Sequence, residues 1–92
     1  MKAIRIKMKE NYNHSNNPKN IEGFYIDDGS ELVFYTVCEL VKLLKNEPTE
    51  IINVGDDNFS RLVPITATNG KGYIRSLPNI GMVDAIMRLP RD

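Results

Sequence analysis

Twice in this chain a polar residue followed by glycine divides two runs rich in β-branched and aromatic residues. Asp28-Gly29 splits "IEGFYIDDGSELVFYT" (21–36), and Asn69-Gly70 splits "LVPITATNGKGYIRS" (62–76). A tight hairpin turn needs positive φ at its centre, and glycine adopts it without steric cost, so each pair predicts a β-hairpin. Two hairpins commit most of a short chain to antiparallel pairing, and the remaining segments must be fitted to that frame. The opening "KAIRIKMK" (2–9) alternates, with Ile4, Ile6 and Met8 on one side and Arg5, Lys7 and Lys9 on the other. That period of two predicts a half-buried N-terminal strand. "EIINV" (50–54) predicts a short strand and "GDDN" (55–58) a turn. Gly23 inside a strand predicts a bulge or a close backbone approach, and Pro64, lacking an amide donor, an edge position or an irregular start.

One stretch breaks the β pattern. Thr36 is followed three residues on by Glu39, a capping box in which each side chain takes the other's backbone amide. The helix it opens is predicted over about 37–46, with Val37, Leu40, Val41 and Leu44 on one stripe and Asn46 and Pro48 ending it. A short C-terminal helix is predicted over roughly 81–88, where Val83, Ile86, Met87 and Leu89 can cover an end of the sheet before Pro90. "NYNHSNNPKN" (11–20) is polar and without period, and predicts a flexible loop. The expectation is a single α+β domain over 1–92: two hairpins and an N-terminal strand in an antiparallel sheet, covered by one main helix and a short second one.

The formal net charge is zero, but it is unevenly spread. Residues 1–21 carry Lys2, Arg5, Lys7, Lys9 and Lys19 against Glu10, and the acids crowd between Glu22 and Asp57. Residues 58–92 return to excess base through Arg61, Lys71, Arg75, Arg88 and Arg91. Two readings follow: the segments neutralise one another in the fold, or they leave a dipolar surface whose poles meet different partners. Cys38 is the single cysteine, so no internal disulfide forms, which fits a reducing cytoplasm. No charged n-region with a long apolar run is present, so neither signal peptide nor membrane span is expected.

Catalytic and metal sets are sparse. His14 stands in the polar loop and Cys38 at the second helical position, with nothing to orient them as a dyad. One histidine and one cysteine do not complete a zinc site, and Cys38 reads as a small residue beside the apolar stripe. Asp27-Asp28 and Asp56-Asp57 fall where turns are predicted, and aspartate is a turn residue because its carboxylate bonds nearby amides. No glycine-rich phosphate loop is present. The expectation is therefore a non-enzyme with no metal and no cofactor. In the last hairpin Ile74 should face inward with Gly72 and Ser76, leaving Lys71, Tyr73 and Arg75 on the other face. If strand one pairs nearby, Arg5 and Lys7 join them. Bases interleaved with an aromatic suit phosphate groups or stacked bases, and they equally suit a solvated sheet face.

The end of the chain, "GKGYIRSLPNIGMVDAIMRLP" (70–90), resembles the ending of a small bacterial and phage family catalogued as domain of unknown function 3892. Tyr73, Ile74, Arg75, Ser76 and Pro78 stand in its Y-[IL]-R-[ST]-x-P motif, and Asp84, Leu89 and Pro90 in its DNLxxLP ending. Ala85 and Ile86 depart from the second motif, and residues 11–20 look like an insertion. The resemblance implies a small cytoplasmic protein of bacteria, phages or mobile elements, with no assigned activity. Together these readings lead to a binding module whose partner is a protein, such as a host or defence component. The alternative is a binder of nucleic acid or a small nucleotide through Arg5, Lys7, Lys71, Tyr73 and Arg75. A homo-oligomer built on an exposed strand edge is a third outcome.

Overall fold

The computed structural model describes residues 1–78 and 84–92. Six strands form one sheet: β1 (Lys2–Met8), β2 (Ile21–Asp27), β3 (Leu32–Thr36), β4 (Asn53–Val54), β5 (Asp57–Thr66) and β6 (Gly72–Leu77). Their order across the sheet is β3-β2-β1-β4-β5-β6, and a helix, α1 (Val37–Asn46), leads from β3 towards β4. The α+β class stands, but the sheet is mixed, not wholly antiparallel. β4 lies parallel to β1, with Lys2 opposite Asn53 and Ala3 opposite Val54. The crossover through α1 brings the chain back on the free side of β1 running in the same sense, and a crossover of that kind yields parallel pairing.

The helix has the predicted bounds because its cap is local. The Thr36 hydroxyl accepts the Glu39 N–H at 3.2 Å, and the Glu39 carboxylate accepts the Thr36 N–H at 3.0 Å. Those amide bonds hold the Glu39 carboxyl below its ordinary pKa. Leu40 and Leu44 are buried, with Val37 and Val41 packed against the core beside them. The helix touches β5 and β6 on one side and β2 and β3 on the other, so the twisted sheet curls around it.

Bulges correct the strict alternation expected of β1. Ala3 pairs with Ile26 and Arg5 with Tyr25, which leaves Ile4 as the extra residue. Ala3, Ile6 and Met8 are therefore the buried set, opposite Ile26, Phe24 and Ile21, while Ile4 is only partly buried. An inserted residue reverses the alternation, which is how residues 3 and 6 share one face. Gly23 is a close approach as expected: a methyl group there would stand 2.3 Å from the Phe34 Cζ and 2.6 Å from the Tyr35 carbonyl oxygen.

The last hairpin is wider than a two-residue turn. The Gly70 N–H donates to Ala67 O and the Ala67 N–H to Lys71 O, both at 2.9 Å, with Gly70 at φ 83°. Glycine thus closes a longer loop in which its positive φ restores the pairing. β5 is interior rather than at an edge. Among the described residues, though, β4 pairs with Asp57 and Arg61, the Leu62 N–H meets Ile52 O just before β4 at 2.8 Å, and no pairing on that side reaches Pro64, so the proline costs no ladder bond there.

The predicted C-terminal helix is a single 3-10 turn, Ala85–Arg88, capped by Asp84; residues 81–83 of that prediction lie outside the described residues. After Leu89 the chain is extended and claims the edge of β1 beyond β4. Ile6 N–H donates to Pro90 O and Asp92 N–H to Ile6 O, each at 2.9 Å. Residues 11–20 contain turns and a 3-10 turn at Pro18–Asn20, and Arg91 donates to the Asn13 and Met87 carbonyls.

Candidate functional site

The five residues singled out for ligand contact fall into two groups. Arg5 lies opposite Tyr25 and Lys7 opposite Gly23, with the Lys7 ammonium 3.3 Å from the Glu22 carboxylate. Lys71, Tyr73 and Arg75 lie just before and along β6, and β4 and β5 separate them from β1 in the sheet. The structure therefore does not join Arg5 and Lys7 to the β6 residues in one row.

Along β6 the alternation is as expected. Ile74 is buried, Gly72 and Ser76 share its face, and Tyr73 and Arg75 project the other way, each partly exposed. A methyl group on Gly72 would lie 3.0 Å from the Val41 side chain, which places that face against α1. Arg75 and Ser76 both reach Asp84. The Arg75 Nε is 3.7 Å from the Asp84 carboxylate, with the two side chains 39% and 3% exposed. The same carboxylate accepts the Ser76 N–H at 3.1 Å, the Ser76 hydroxyl and the Ile86 N–H at 3.1 Å. Residues of the two C-terminal motifs thus meet at one buried acid, where charge and hydrogen bonds tie the end of β6 to the 3-10 turn.

The other end of β6 is built differently. The Lys19 ammonium lies 5.3 Å from the centroid of the Tyr73 ring, a cation–π distance. A cleft of about 660 Å³ opens beside them, between α1, β6 and the segment that precedes β2. Lys9, Lys19, Lys42 and Lys71 stand around it, and Ile21, Val37 and Val41 supply apolar lining. Sequence reasoning reached Lys71 and Tyr73 but missed Lys9, Lys19 and Lys42, because the lysines come from four separate segments and no local motif joins them. Cys38 also lines this cleft, exposed beside the stripe residues Val37 and Val41.

Asp27 and Asp28 serve their turn, where the Asp27 carboxylate accepts the Gly29 N–H at 2.9 Å, while Asp56 is tied to a distant lysine. The Asp28 carboxylate accepts the Ser30 and Glu31 amides and the Ser30 hydroxyl, and its pKa is lowered chiefly by the Glu31 bond. Asp56 meets the Lys2 ammonium at 2.7 Å, which lowers the acid's pKa and raises the lysine's. Among the described residues no group of three or more His, Cys, Asp or Glu is placed to hold a metal ion. Far from the cleft, Ile51, Phe59 and Leu77 are 52%, 67% and 45% exposed and share a groove of about 410 Å³ with Asn53, Arg61 and Pro78. No helix among the described residues is long and apolar enough to cross a membrane. A scan against protein-family models finds no match, and searches of curated proteins and of solved structures find none either.

Proposed function

We propose that this protein is a non-enzymatic binding module that acts by occupying a protein partner in the cytoplasm. The observation that carries this reading is the exposed apolar group Ile51, Phe59 and Leu77 around Arg61. Aromatic side chains and arginine concentrate binding energy at protein interfaces, and contiguous exposed apolar surface marks such sites. Three carboxylates already have partners within the chain: Asp28 in its turn, Asp56 with Lys2, and Asp84 with Ser76 and Arg75. The resemblance of residues 70–90 directs the search to bacterial host and defence components. The test is affinity capture from bacterial lysate at low salt, wild type beside a Phe59→Asp, Leu77→Asp double variant. One protein retained by the wild type and lost from the variant is expected. Equal capture by both, or none by either, overturns the reading.

A second reading, recognition of a small anion, is favoured by the lysines gathered beside Tyr73. It keeps Lys71 and Tyr73 from the predicted set and does not draw on Arg5, Lys7 or Arg75.

A further inference from the structure

We infer that the cleft between α1 and the start of β6 binds a small amphipathic anion, an aliphatic body carrying one carboxylate or phosphate head. The inference deepens the anion reading above and is independent of the protein-partner reading, whose surface lies at the opposite end of β6.

Charge is the first argument. Lys9, Lys19, Lys42 and Lys71 surround the opening, and Glu22 is the one acid among its lining residues. Glu22 is already matched by Lys7 at 3.3 Å, so the cleft keeps a strong positive excess. Cations gathered at a concave, low-dielectric wall focus their field into it and raise the local concentration of anions. The start of α1 adds to that field through Val37 and Cys38 at its first turn, although the Thr36–Glu39 cap already uses part of it.

The floor then selects the kind of anion. Ile21 is part of the core, and Val37 and Val41 pack against it, so the inner lining is aliphatic. Gly72, which carries no side chain, lets β6 approach Val41 closely at the base of this wall. Four of the polar side chains here are lysines, and the Thr36 hydroxyl oxygen already accepts the Glu39 N–H. A nucleobase needs donors and acceptors for its edge and an open aromatic face for stacking. This floor supplies few of the former, and Lys19 already lies over the Tyr73 ring. An acyl or alkyl chain needs only apolar contact, and a volume of about 660 Å³ lies within the range of small-molecule sites.

The test titrates the full chain with octanoate, octyl phosphate, octanol, acetate and AMP, followed by amide chemical shifts and calorimetry. Saturable binding of octanoate or octyl phosphate is expected, with the largest shifts at Lys9, Lys19, Val41 and Lys71. Whichever of the two binds tighter identifies the head group. Octanol and acetate should each bind far more weakly, since each carries only half of the recognised chemistry. Lys42→Ala with Lys71→Ala should weaken octanoate by about tenfold while leaving the melting temperature unchanged, as both lysines are exposed. AMP binding without octanoate or octyl phosphate overturns the amphiphile and leaves the anion reading standing. Binding of none of the anions overturns both, and octanol binding as tightly as octanoate, or unaltered binding by the double variant, overturns the lysine role.

Discussion

Arg75 and Lys71 are both cations, four residues apart beside one strand, yet they occupy opposite chemical situations. Arg75 has a partner within the fold: its guanidinium lies beside the buried Asp84 carboxylate, which also accepts the Ser76 N–H and the Ile86 N–H of the 3-10 turn. Lys71 is exposed at a cleft with three other lysines and a single, already paired acid. The difference teaches that a positive residue on a strand is not by itself a binding residue. What decides is whether the fold has already supplied its counter-charge. Arg75 has its counter-charge in Asp84, whereas Lys71 forms no ion pair among the described residues.

The strongest way to break this contrast is to remove the acid at the bound end. Asp84→Ala leaves the Ser76 N–H, the Ser76 hydroxyl and the Ile86 N–H without their acceptor in a buried place. Unsatisfied buried donors and a broken buried pair are each costly, so the expected loss is about 3 kcal/mol, read as a lowered urea midpoint. A loss below about 1 kcal/mol would mean that the site relaxes to let water in, and that Asp84 does not organise the end of β6.

The next effect lies in the helix that walls the cleft. Thr36→Ala removes the acceptor of the Glu39 N–H, and lost caps cost about 1 kcal/mol. The capping box also predicts a pH dependence. The Glu39 carboxyl is held below its ordinary pKa of 4.5 by the Thr36 amide, so the folded chain binds a proton there less readily than the unfolded one. Its stabilising contribution is complete above the unfolded value and disappears as pH falls through the lowered folded one. Asp28 and Asp56, also lowered, act in the same sense. Stability should therefore decline below roughly pH 4.5. Glu39→Gln should flatten part of that decline in urea midpoints measured from pH 6 to pH 3. An unchanged slope would remove Glu39 from the account.

The parts of this fold that were legible in the sequence are those encoded within a few residues. Thr36 and Glu39 fixed the start of α1, and Asp28-Gly29 and Asn69-Gly70 located both hairpins. The parity of Tyr73, Ile74 and Arg75 put the isoleucine inside. What was not legible depends on pairing over distance. β4 is only two residues long, so its parallel place beside β1 could not be heard above the hairpin signals. The bulge at Ile4, which turns Ala3 inward, exists to keep register with Ile26 and Phe24 on another strand. Asp84 reads in sequence as one more acid in the tail, and only the fold shows that it neutralises Arg75. The cleft is the extreme case, since its lysines come from positions 9, 19, 42 and 71 and carry no common pattern.

The smallest effect is also the most direct measure of the contrast. Arg75→Gln and Lys71→Gln each remove one positive charge beside the same strand, so their separate stabilities differ little in what they reveal. Their couplings to Asp84 should differ. In a double-mutant cycle with Asp84→Asn, Arg75→Gln should show an interaction of about 0.5–1 kcal/mol, reduced by solvent because the arginine is partly exposed. Lys71→Gln should be additive with Asp84→Asn to within about 0.3 kcal/mol, as expected of sites that share no partner. Equal couplings would place both cations in the field of the same acid. In that case Lys71 would have its counter-charge within the fold, and the positive excess of the cleft would have to be recounted without it.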